Sequence, residues 1–150
     1  MIWELIKDNI LFVENIDDWR SAIRLAADPL LTKEVIEPRY IDAMISMCEK
    51  YNSYIVLNDY FAMPHASSDH GVNRLGVSLL ISKDEINFSG KPAHLVLVIA
   101  PENNFSHIDL LKNVAQYFGD VKFIMQLAKT SSLSEVSETV REFYGIEVVN

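Results

Sequence analysis

Two near-continuous apolar runs, Leu75 to Ser82 and His94 to Ala100, constrain this chain most. Runs of this length without polar alternation suit strands that are buried on both faces, which requires a layer of structure on each side of a sheet. Lys83-Asp-Glu85 and the turn-rich Ser89-Gly-Lys-Pro92 separate the two runs. Upstream, Tyr54-Ile-Val-Leu57 and Tyr60-Phe-Ala-Met63 read as shorter strands around an Asn58-Asp59 turn.

The covering layers come from either end of the chain. Asn15-Ile-Asp-Asp18 offers capping side chains to a helix whose apolar face is Trp19, Ala22, Ile23, Ala26 and Ala27. Pro38 is well placed to open a second helix, with Tyr40, Ile41, Met44, Ile45 and Cys48 as its inward stripe and an end near Asn52. Helical periodicity returns at His107, with Ile108, Leu111, Val114, Ala115 and Phe118 on one face and Gly119 as the stop. Further helices are expected over about Val121 to Ala128 and from the box-like Ser132-Leu-Ser-Glu135 to about Tyr144. The expectation is one α/β domain over residues 1–150, a three-layer sandwich whose central mixed β-sheet is flanked by helices.

Charge and cysteine usage narrow the function. A net charge of -8, from 21 acidic and 13 basic residues, repels nucleic acid and anionic membrane surfaces. The single Cys48 has no partner for a disulfide or a CxxC metal site, as expected of a reduced, cytoplasmic protein. No secretory leader and no membrane-length apolar run is present in the sequence, so neither export nor membrane insertion is expected. Glycine-rich nucleotide loops and a Gly-x-Ser-x-Gly elbow are absent.

The four histidines are the candidates for chemistry, because imidazole changes charge and nucleophilicity nearest neutral pH. His65 follows Tyr60-Phe-Ala-Met-Pro64 at a strand end, ahead of a polar loop from Ala66 to Gly71. Its local setting fits either a functional imidazole or a loop residue that merely ends the strand. His107 stands at the entrance of a long helix behind Pro101-Glu-Asn-Asn-Phe-Ser106, with Ser106 a good N-cap. There, first-turn amides and the helix dipole would favour an anion, and a locally bonded histidine fits equally well. His70 reads as a turn residue, and His94 as a strand-edge residue. His65, His70 and His107 with Asp69 or Asp109 match no familiar metal-ligand spacing, so no metal and no cofactor is expected.

Taken together, several segments resemble the mannitol/fructose class of phosphotransferase system (PTS) IIA domains, and within it the ascorbate-type branch. They are Val35-Ile-Glu-Pro-Arg-Tyr40, Tyr54-Ile-Val-Leu57, Phe61-Ala-Met-Pro-His65-Ala66, Gly71-Val72, Gly76-Val-Ser-Leu-Leu-Ile81 and His107-Ile-Asp-Leu-Leu111, in that order. The resemblance implies that His65 carries a phosphoryl group and that His107 is its active-site neighbour. It also implies phospho-HPr as donor, a IIB domain as acceptor, and a membrane IIC transporter reached only indirectly. The chemistry is compatible with the residue, since an ordinary imidazole of pKa ~6.5 is mostly neutral, and so nucleophilic, in the cytoplasm.

Two positions depart from the pattern of that class. Its mannitol and fructose members usually have an arginine where this chain has Glu49; the ascorbate-type branch lacks it too. Many members also have an arginine where Ser67 stands, leaving Arg39, Lys50 and Arg74 as candidate charge partners for the phosphoryl group. A regulatory module switched by phosphorylation and a transfer-deficient relative are the competing readings. Apolar residues close to the histidines in sequence, Tyr60, Phe61 and Phe105, are candidates for partner docking where exposed.

Overall fold

The computed structural model describes residues 2–51 and 56–148. Its sheet is built on a long antiparallel pair, β4 (Gly76–Phe88) and β5 (Lys91–Ala100). Leu95 to Ala100 are all fully buried, and they alternate between two separate cores. Val96, Val98 and Ala100 face α2 (Trp19–Thr32) and α3 (Pro38–Tyr51); Leu95, Leu97 and Ile99 face the opposite core. That second core is closed by α1 (Ile2–Ile6), α4 (Asn104–Phe118), α5 (Val121–Ala128) and α6 (Leu133–Tyr144). A helical layer therefore lies on each face of the sheet, as continuous apolar strands require.

β1 (Ile10–Val13), β2 (Val56–Asn58) and β3 (Tyr60–Ala62) complete a five-stranded mixed sheet among the described residues, in the order β1-β4-β5-β3-β2. β1 runs parallel to β4 and β3 parallel to β5, while β4–β5 and β2–β3 are antiparallel. Because β3 and β5 run the same way, both chains leave the sheet at one edge. Of the strand expected over Tyr54 to Leu57, Tyr54 and Ile55 lie outside the described residues, and the pairing seen starts at Val56.

Several elements differ from the sequence-based expectation. α1 has only five residues, too few to display a helical period, and β1 owes its conformation to pairing with β4. α2 continues through Pro29 to Thr32. Lys83-Asp-Glu85 does not interrupt β4; its exposed side chains occupy an irregularity in the register between Ile81 and Ile86, where Ser82 donates its hydroxyl to the Asp84 carbonyl at 2.7 Å. The turn into β5 is confined to Ser89-Gly90, so Lys91 and Pro92 are strand residues. His94 is not at an edge: it is buried, its Nδ1 is 3.0 Å from the Ser82 carbonyl, and its ring lies 5.4 Å from that of Tyr60.

α4 begins earlier than expected. Asn103 is its N-cap, accepting from the Ser106 amide at 2.9 Å, and Ser106 is the third helical residue of a capping box rather than the cap itself. The inward face is Leu110, Val114, Tyr117 and Phe118; Ile108, Leu111 and Ala115 point outward. By contrast, all five stripe residues expected on α3 are buried, and α6 is capped by Ser132, whose hydroxyl accepts from the Glu135 amide.

Gly76 starts β4 against the turn after α2, where a Cβ would stand 2.5 Å from Val35 Cγ1. Gly76→Ala should therefore destabilise the fold by about 1–3 kcal/mol through overpacking. Chemical denaturation checks this, and an unchanged midpoint would mean that Val35 yields freely.

Candidate functional site

The C-terminal ends of β3 and β5 bring His65 and His107 together. Edges of this kind, where parallel strands end, are where α/β sheets collect ligands. Met63 and Pro64 are buried, which anchors the chain as it leaves β3, and His65 follows, half-buried. Pro64 has no N–H with which to continue the ladder, but its carbonyl accepts from the Ile99 amide at 3.4 Å. β5 meanwhile runs through Pro101 into α4, whose fourth residue is His107. The two imidazoles meet edge to face, with centroids 5.4 Å apart and planes at 63°.

Each ring has a defined chemical character. His65 Nδ1 lies 2.9 Å from the Met63 carbonyl. A carbonyl can only accept, so Nδ1 carries the proton and the neutral ring keeps its nucleophilic lone pair on Nε2. His107 Nε2 is buried and has no hydrogen-bond partner among the described residues. A buried polar atom left in this way costs about 1–3 kcal/mol, a cost that an arriving acceptor or donor would relieve. His107 is one turn further into α4 than the sequence suggested, and its own amide is spent on the Asn103 carbonyl at 3.0 Å. The capping box uses the Ser106 amide, so the unsatisfied N–H groups at the mouth of the site belong to the first two helical positions, Asn104 and Phe105.

His65, Ser67, Ser68, Asn103, Asn104 and His107 surround a cavity of ≈ 280 Å³, with Met47 at one wall. Among the described residues, no arginine or lysine lines it. Glu49 is held by Arg20 at 2.8 Å. Arg74 is spent on the Lys33 and Glu34 carbonyls. Arg39 and Lys50 instead line a neighbouring groove of ≈ 500 Å³ that shares Met47, Ala66 and Ser67 with the histidine cavity. Ser67 donates to Asp69, and His70 is exposed in a single 3-10 turn, Ser68–His70. Among the docking candidates, Phe61 is buried, Tyr60 is half-buried and Phe105 is 83% exposed beside Ile108. No group of three metal-ligating side chains occurs among the described residues, and no helix among them is long and apolar enough to cross a membrane.

Tyr40 was legible only as part of an apolar stripe. Its buried hydroxyl accepts from the Ala66 amide at 3.0 Å and donates to the Ile99 carbonyl at 2.7 Å. Those partners are remote in sequence, so no local pattern announces them.

Comparison with known proteins agrees with this architecture. Residues 4–143 match the family "Phosphoenolpyruvate-dependent sugar phosphotransferase system, EIIA 2", and the chain belongs to that family. It is therefore a component of the phosphotransferase type, with the α/β fold of PTS IIA proteins. The ascorbate-specific PTS system EIIA component of Escherichia coli K12 is 25% identical over 128 residues, 83% of each chain. A Streptococcus pyogenes M1 GAS protein described as a PTS IIA domain superposes with a TM-score of 0.80 at 33% identity, covering 91% of this chain and 90% of its own. The IIA-type fold in the complex of enzyme IIAMTL with phosphorylated enzyme IIBMTL from Escherichia coli gives a TM-score of 0.77 at 28% identity, covering 90% and 95%.

Burial lowers the pKa of His65; the bond to the Met63 carbonyl partly opposes this, and the charge of His107 adds slightly to the lowering. The unfolded chain, with an imidazole near ~6.5, takes up a proton before the folded chain does. The stability owed to neutral His65 is thus full above that value and lost as pH falls through the depressed folded one. NMR titration should find the His65 midpoint below the ~6.5 of an ordinary imidazole; a midpoint above it would contradict the burial argument.

Proposed function

We propose that this chain is a phosphoryl carrier of a sugar phosphotransferase system, taking the group from phospho-HPr onto His65 Nε2 and passing it to a IIB protein. The observation that carries this reading is the pairing of an Nδ1-anchored His65 with the orphaned Nε2 of His107 at the mouth of α4. In the first step the donor's N–P bond breaks as the His65 Nε2 lone pair forms a new one. Positive charge develops on the His65 ring, and the Met63 carbonyl stabilises it through Nδ1–H. In the second step the His65 N–P bond breaks in favour of a cysteine sulfur on the acceptor, and His65 regains its neutral form. Donor and acceptor are nucleophiles of similar leaving ability, so the site's task is alignment and stabilisation of the migrating negative charge. His107 Nε2, when protonated, and the first-turn amides of α4 provide hydrogen-bond donors for that charge.

The exposed Phe105 and Ile108 flank His107 in sequence and offer both partners an apolar contact. The ascorbate-specific relatives favour an ascorbate-like sugar, although a carrier of this kind does not itself touch the sugar. A cytoplasmic location follows from the same role. A second reading, a slowly charged regulatory switch, draws on the absence of arginine and lysine from the cavity lining.

Charging by phospho-HPr followed by transfer to the IIB partner tests the assignment. His65→Ala should take up no phosphoryl group, while His107→Ala should still be charged but with onward transfer slowed on the order of 100-fold, as for loss of a transition-state donor. Equal and total loss in both variants would contradict the division of roles. Rapid charging with no transfer to any IIB partner would favour the regulatory reading.

A further inference from the structure

The ladder between β3 and β5 runs out just before the site. Its last paired residues are Ala62 and Val96, and Pro64 cannot donate a bond that would extend it. Beyond that pair, Ile99 N–H reaches the Pro64 carbonyl in a long contact of 3.4 Å. Tyr40 fills the gap from the side. It rises from the first turn of α3, is fully buried, and inserts its hydroxyl between the Ala66 amide and the Ile99 carbonyl, with the Ala66 carbonyl a second acceptor at 3.2 Å. The hydroxyl acts as a missing rung, receiving from one segment and donating to the other.

The two segments it joins are those that carry the histidines. Ala66 is the residue after His65; Ile99 stands two residues before Pro101, where the chain turns toward the Asn103 cap and His107. We propose that Tyr40 is a positioning residue: its hydroxyl sets the distance and angle between the His65 and His107 imidazoles without touching either ring. This rests on the reading that the histidine pair performs the transfer. Burial pushes the Tyr40 hydroxyl up to about 12, so it stays protonated, and able to donate, across physiological pH. A displacement of the order of 1 Å at a transfer site is enough to cost about 100-fold in rate, which gives such a bridge a catalytic consequence.

Tyr40→Phe removes the oxygen alone. Ser78→Ala is the control, since it also deletes a buried hydroxyl bonded to a backbone carbonyl, that of Ala26 at 2.5 Å, on the strand surface facing α2. For both variants and wild type, nitrogen-15 NMR of the imidazoles reports the tautomer and titration midpoint of His65, and a phospho-HPr assay reports the charging rate. In Tyr40→Phe the Nδ1-protonated tautomer of His65 should lose its dominance, the midpoint should rise toward ~6.5, and charging should slow at least tenfold. Ser78→Ala should keep the wild-type His65 signals and rate despite its loss of stability. Wild-type His65 signals in Tyr40→Phe, or the same changes in Ser78→Ala, would overturn the proposal. If wild type itself is not charged, the functional reading fails, while the NMR comparison still decides whether Tyr40 positions the pair. Should Tyr40→Phe not fold, the Tyr40 hydroxyl proton of wild type decides: slow solvent exchange supports the bridge, and exchange as fast as that of an exposed tyrosine refutes it.

Discussion

Burial of β5 on both faces governs the structure. Six consecutive residues, Leu95 to Ala100, lose all contact with water, and side chains of the Val, Leu and Ile type contribute about 1.5–3 kcal/mol each when fully buried. Because they alternate between two cores, helices must cover both surfaces of the sheet, and α2–α3 on one side and α1, α4, α5 and α6 on the other do so. The direction of β5 then determines where the chain can do chemistry. β3 lies parallel to it, so the segment after Met63 and the segment after Ala100 emerge at the same edge, and histidines far apart in sequence face each other.

Under the proposed function, the chain would manage negative charge at that edge with dipoles rather than with cations. The protein carries a net charge of -8, and the basic side chains named as charge partners are engaged elsewhere or line the adjoining groove. What faces the cavity is a half-buried imidazole held by a backbone carbonyl, a second imidazole with an unsatisfied nitrogen, and a capped helix terminus. Such groups favour a phosphoryl group by hydrogen bonding and orientation. They also avoid a fixed guanidinium that would hold the group too tightly for onward transfer, which suits a carrier whose task is to give the phosphoryl group away.

Much of this arrangement was legible in the sequence wherever a local pattern determined it. The stripe on α3, the serine cap of α6 and the two-sided burial of β5 depend on residue spacing alone. The exceptions arise where distant contacts decide. β1 is a strand because β4 lies beside it, and β4 survives Lys83-Asp-Glu85 because an irregular register turns those charges outward. On α4, apolar residues occur on more than one side, so periodicity chose Ile108 and Leu111 while packing chose Leu110 and Tyr117. His65 and His107 were named from a family likeness; spacing alone left each with an ordinary alternative. The part played by Tyr40 was invisible, since its hydroxyl partners lie 26 and 59 residues away.

The most direct test of the central claim is to locate the phosphoryl group by phosphorus-31 and nitrogen-15 NMR, after incubating the protein with phosphoenolpyruvate, the general phosphotransferase enzyme and HPr. With Nδ1 committed to the Met63 carbonyl, the account predicts a single acid-labile adduct on Nε2 of His65. An adduct on Nδ1, an adduct on His107, or no adduct while HPr is verifiably charged would contradict it.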